Sequence, residues 1–181
     1  MAAPIHVVPL DGVAPPWLDA LVQGLAAAFP NPVRLLPAPI DLSPCFVPGR
    51  EQHHATLVLA ALLRHRPARP AGARILGLVG VDLFVPVLTF VFGQAQLDGP
   101  AAVVSTYRLR PSFYGLPPDE GTLLERAIKE SVHELGHAFG LVHCEVYDCV
   151  MHASTTVDEV DLKRAEFCRS CAGELDRRGW A

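Results

Sequence analysis

The run from His133 to His143 reads HELGHAFGLVH. Histidines four apart leave one face of a helix a single turn apart. His133 and His137 can then reach one zinc ion at about 2.0–2.1 Å. Glu134 lies about 100° further round the helix, which sets its carboxylate beside the metal without making it a ligand. Glycine accepts the left-handed backbone that turns a chain off a helix end. Gly140 therefore predicts the end of that helix and a return that brings in His143 as a third ligand. Three imidazoles leave the fourth tetrahedral position to water, which is the arrangement of a catalytic zinc.

A second set of ligand types follows at once. Cys144-x4-Cys149 and Cys168-x2-Cys171 are short-spaced pairs, the pattern of a closed structural zinc site made of thiolates. Two pairs of incidental free thiols, or disulfides in an exported chain, are the plain alternative. The surrounding segment has too little apolar content for a core of its own, so zinc would supply its folding energy. Cys45 has no close-spaced partner and reads as a free or buried thiol.

The extended histidine run resembles the metzincin zinc peptidases. With Cys144, Cys149, Met151, Cys168 and Cys171 added, the chain resembles the archaemetzincins, a branch of that group. The 16 residues between Met151 and Cys168 are one fewer than is usual in that branch. A looser likeness runs through Val81–Phe84 and Leu88–Gly93. The resemblance implies peptide-bond hydrolysis with Glu134 as general base. It implies two Zn2+ per chain: a catalytic one on His133, His137 and His143, and a structural one on Cys144, Cys149, Cys168 and Cys171. Met151 would pack beneath the histidines as a Met-turn residue, not a ligand. An extended peptide substrate would add to an unpaired strand edge along the cleft, expected near Gln94 to Pro100. Some other branches carry a tyrosine two residues after the methionine; Ala153 stands there, so no oxyanion donor is available at that position. His152 reads as a surface histidine.

The elements that must position these residues show in the periodicity. Ile5 to Leu10 predicts a strand ended by Asp11-Gly12. Pro15-Pro16 opens a helical pattern with Leu18, Leu21, Val22 and Leu25, up to Pro30. Val33 to Leu36 predicts a strand, and Pro37 to Arg50 a loop. Glu51 to His65 predicts a helix with Leu57, Leu59, Ala60, Leu62 and Leu63 near one side and His53, His54 and His65 on its solvated surface. A Pro- and Arg-rich connector spans Arg66 to Gly72. Arg74 to Phe84 and Val85 to Phe92 predict central strands, or one strand with a turn, with Asp82 as a turn-capping carboxylate. Gly93 to Gly99 predicts a turn or edge and Ala101 to Leu109 a strand. After a loop from Arg110 to Gly121, Thr122 and Glu125 fit a capping box. Leu124, Ile128, Val132, Leu135 and Phe139 then keep one apolar face through the histidine run. Val157 to Arg164 is helical in composition.

The expected architecture is α/β: a mixed twisted sheet with backing helices and the active-site helix in an N-terminal lobe, residues 1–143, metzincin-like by the resemblance. A small zinc-stapled C-terminal lobe, residues 144–181, completes it. The chain of 181 residues carries a net charge of -4 and 7% aromatic residues, which argues against a nucleic-acid surface, a zinc ribbon included. Its N-terminus has no basic region before an unbroken apolar run, so it does not read as a signal peptide. No apolar stretch reaches about 18 residues, so no membrane span is expected. A cytoplasmic monomer acting on peptides is the expectation. The alternative is a weakly active or inactive scaffold of the same fold that binds a peptide or protein.

Overall fold

Strand Ala101–Ser105 is buried on both sides, and its period-two alternation shows how the layers lie. The computed structural model describes residues 2–10, 15–36, 38, 40–64 and 71–180. Its strands are β1 (Ile5–Pro9), β2 (Val33–Leu35), β3 (Phe46–Val47), β4 (Gln52–His54), β5 (Arg74–Val79), β6 (Leu83–Phe84), β7 (Gly93–Ala95) and β8 (Ala101–Ser105). Its α-helices are α1 (Leu18–Ala28), α2 (Ala55–Arg64), α3 (Glu120–Ala138), α4 (Val157–Leu162) and α5 (Arg169–Arg178). A five-stranded sheet runs β2-β1-β5-β8-β7. Its strands are parallel except β7, which lies antiparallel to β8 at the edge. Ala102 and Val104 join Leu76, Leu78 and the buried residues of α1 and α3. Ala101 and Val103 join Ile75, Val79 and α2. A parallel sheet covered by helices on both faces reads as continuous hydrophobic strands, as these do. Val150, Met151, Val160 and Leu175 belong to the same buried cluster as Leu135 and Phe139.

Several expectations change. Gln52–His54 is a strand in a small sheet of order β3-β4-β6, and the helix begins only at Ala55. His53 and His54 are therefore not on a helix surface; their rings lie against Phe46 and Phe84. On α2 the buried side is Val58, Leu59, Ala61 and Leu62, while Leu57 is exposed. Val85–Phe92 is a turn and not a strand, since Pro86 lacks the N–H a ladder needs. Asp82 caps nothing; it receives a two-pronged hydrogen bond from Arg108. β8 stops at Ser105 and a 3-10 turn covers Tyr107–Leu109. No capping box forms at Thr122: the Asp119 side chain accepts the Gly121 and Thr122 N–H groups instead. A capping box does form at the start of α4, between Thr156 and Glu159. Asp11-Gly12, His65 and most of the Arg66–Gly72 connector lie outside the described residues.

Candidate metal centre and cleft

The last two turns of α3 carry His133, Glu134 and His137. Nδ1 of His133 bonds the Val150 carbonyl at 2.8 Å, and Nδ1 of His137 bonds the Leu141 carbonyl at 2.7 Å. A carbonyl only accepts, so each Nδ1 carries the proton and each Nε2 presents a lone pair. The two Nε2 atoms face each other 3.1 Å apart. Two lone pairs at that distance repel unless a cation stands between them. Ligands about 2.0–2.1 Å from a tetrahedral zinc lie about 3.3–3.4 Å from one another, close to this spacing.

Gly140 has φ 94°, and its N–H bonds the His137 carbonyl at 2.9 Å while Leu141 N–H bonds that of Gly136 at 2.9 Å. This left-handed helix end swings the chain back. The His143 ring comes to 5.3 Å and 4.9 Å from the rings of His133 and His137. One ligand nitrogen from each histidine lies within 4.8 Å of the others. Burial holds all three imidazoles below their ordinary range, so they are neutral and ready to bind a metal near neutral pH. The residues fit the ion that the motif implies.

Glu134 is buried, and desolvation, with the nearby Glu130 carboxylate, lifts its carboxyl well above the usual range while Lys163 opposes this. It faces a cleft of about 430 Å³ lined by the three histidines, Phe90, β7 and Ala153–Thr155. β7 approaches so closely that a Cβ on Gly93 would lie 2.6 Å from Glu134 Cγ and 2.7 Å from the Val103 carbonyl oxygen. Beneath the helix, Met151 is fully buried. A Cβ on Gly136 would collide with Met151 Sδ and come 3.2 Å from Phe167. The glycine inside HELGH is the seat of the methionine.

All four later cysteines are free thiols, and their sulfurs lie within 4.8 Å of one another. Cys144 and Cys168 Sγ are 3.7 Å apart, Cys149 and Cys171 Sγ 3.8 Å. Sulfurs about 2.3 Å from a tetrahedral zinc are about 3.8 Å apart, so this set also fits. Burial works against ionisation of Cys168, but the Cys171 backbone N–H and the neighbouring thiols outweigh it and bring Cys168 to about 7. Cys45 stands apart, buried and free.

Sequence reasoning missed two residues here. Lys163 Nζ lies 2.8 Å from Glu130 Oε1, with side chains 1% and 4% exposed. Glu130 is one helical turn before Glu134 and lines the same cleft, a spacing that could have flagged it. Lys163 carries no local signal, because its partner is distant in the chain.

Residues 68–177 match the sequence profile of peptidase family M54. The chain belongs to this family. An archaemetzincin of Pyrococcus abyssi is 40% identical over 177 residues, covering 96% of this chain and 92% of that one. An archaemetzincin of Methanocaldococcus jannaschii is 44% identical over 131 residues, covering 72% and 70%. The crystal structure of the Methanopyrus kandleri archaemetzincin superposes with a TM-score of 0.86 at 35% identity, covering 99% and 97%. That of a zinc-dependent peptidase from Methanocorpusculum labreanum gives 0.87 at 33%, covering 94% and 99%. As a family M54 member this chain is a zinc-dependent metallopeptidase.

Proposed function

We propose that this M54 peptidase cleaves peptides laid along β7, with Glu134 as general base and two Zn2+ per chain. His133, His137 and His143 hold the catalytic ion; Cys144, Cys149, Cys168 and Cys171 hold the structural one. The observation that carries the reading is the opposed pair of Nε2 lone pairs, 3.1 Å apart, with Glu134 on the same cleft. A zinc ion held there supplies Lewis-acid activation of water and of the scissile carbonyl. Glu134 takes the proton of the attacking water and passes it to the leaving amine. β7 is an open sheet edge along the cleft, and such an edge adds an extended peptide through its N–H and C=O groups. Met151 seated under Gly136 supports a place among the metzincins. Five free cysteines support a reducing, cytoplasmic setting. No helix among the described residues is long and apolar enough to cross a membrane.

The test is cleavage of a mixed peptide library by zinc-loaded protein, with metal analysis of the same sample. Glu134→Ala is expected to keep both zinc ions and lose about 10²–10⁴ in rate. Undiminished cleavage by this variant would remove Glu134 from the role.

A further inference from the structure

The upper rim of the cleft is a turn held in place by side chains that the reaction does not use. Residues 85–92 make one isolated bridge, Leu83 with Val91. Their own backbone bonds include Leu88 N–H to the Val85 carbonyl at 3.0 Å and Val91 N–H to that of Leu83 at 2.9 Å. Yet Leu88, Thr89, Phe90 and Val91 line the cleft. Arg50 Nη2 donates to the Leu88 and Thr89 carbonyls at 3.1 and 3.0 Å. Gln52 Nε2 donates to the Thr89 carbonyl at 3.0 Å and to Asp82 Oδ2 at 2.9 Å, while its Oε1 accepts from Arg50 Nε at 3.1 Å. Gln52 is only 6% exposed. Asp82 in turn receives Nε and Nη2 of Arg108, both at 2.7 Å. The Arg108 guanidinium lies 4.3 Å over the Phe90 ring, and Phe90 meets Phe92 edge to face at 5.2 Å. A two-pronged arginine–carboxylate pair fixes geometry as well as adding energy, and here it anchors the Asp82 carboxylate to which Gln52 is bonded.

We propose that Asp82, Arg108, Gln52 and Arg50 are positioning residues of the cleft. They fix the Leu88–Phe92 rim so that Phe90 presents an apolar wall to an apolar substrate side chain. The substrate half of this inference rests on the peptidase reading; the pinning of the rim does not.

Zinc-loaded wild type, Arg50→Ala and Arg50→Lys are compared with two probes. Acetohydroxamate reaches only the metal, whereas a leucyl-leucine hydroxamate extends along the cleft. Arg50 is exposed and its guanidinium lies 4.1 Å over the Phe84 ring. Removing its side chain therefore uncovers one face of that ring without opening a cavity, and chemical denaturation of each variant separates this cost from the effect on the rim. Arg50→Ala is expected to bind the longer probe about tenfold more weakly, with acetohydroxamate unaffected. Backbone amides of the rim should exchange faster with solvent while those of α3 do not. Arg50→Lys keeps a charged donor without the fork and recovers part of the affinity. In cleavage assays the loss falls on KM, with kcat retained. Equal weakening of both probes, or unchanged exchange in the rim, would overturn the proposal. Differential weakening by Arg50→Ala, with no library peptide cleaved by the wild type, would uphold the pinning and remove its link to the proposed peptide path along β7.

Discussion

Gly136 is a close-contact residue hidden inside a metal motif. The signal for His133, His137 and His143 was wholly local, since ligand spacing on a helix and a glycine after it are short-range facts. The same is true of the four cysteines. Gly136 was legible only as an unspecified position, because its reason is Met151, which arrives from a later turn. Gly136→Ala is expected to lower stability by about 1–3 kcal/mol through overpacking, measured by chemical denaturation of the zinc-loaded protein. Combined with Met151→Ala, the two changes should cost less than the sum of the singles, because the truncated side chain vacates the space the new methyl needs. Strict additivity would show that the sulfur is not what Gly136 accommodates.

α3 was the most legible element, because its apolar face and its glycine stop agree over several turns. Its start was misread: Thr122 and Glu125 match the capping-box pattern, but Asp119 reaches the free N–H groups first. Hydrogen bonds from the Thr122 hydroxyl and backbone, with Gly121 N–H, hold the Asp119 carboxyl below its ordinary value. A carboxylate with a depressed folded pKa stabilises above its unfolded value, about 3.9, and the effect is lost as pH falls through the lower folded one. The Tm gap between wild type and Asp119→Ala should thus be full near pH 6 and close on acidification below about pH 4. Asp119→Asn, which caps without a titrating group, should show no such closing. The Val85–Phe92 turn was the least legible stretch. Its hydrophobic composition is that of a strand, and what bends it is Pro86 together with donors from Arg50 and Gln52, residues far back in sequence.

The molecule as a whole joins its C-terminal part to the sheet through α3. Arg126 makes a two-pronged pair with Asp161, and Lys163 is buried against Glu130. Such partnerships between distant residues are what a sequence read alone leaves out. Lys163→Met would strand a buried carboxylate, with an expected loss of about 3–5 kcal/mol. Changing Glu130 to Met as well should restore most of it, as melting of the zinc-loaded variants would show. A double variant as unstable as the single would mean that Lys163 matters for reasons other than its partner.

The carbonyl that orients His133 belongs to Val150. That stretch is itself held by later residues: Val150 N–H bonds the Glu166 carbonyl at 3.1 Å, and Cys168 N–H bonds Cys149 Sγ at 3.3 Å. A polypeptide emerging from the ribosome therefore exposes the complete histidine run well before the parts that aim it. A chain halted after Phe167 is expected to lose zinc from the three histidines on dialysis, which metal analysis checks. Synthesis order would then delay cutting power: the histidine run is made first, and the segment through Cys168 that holds its orienting carbonyl follows.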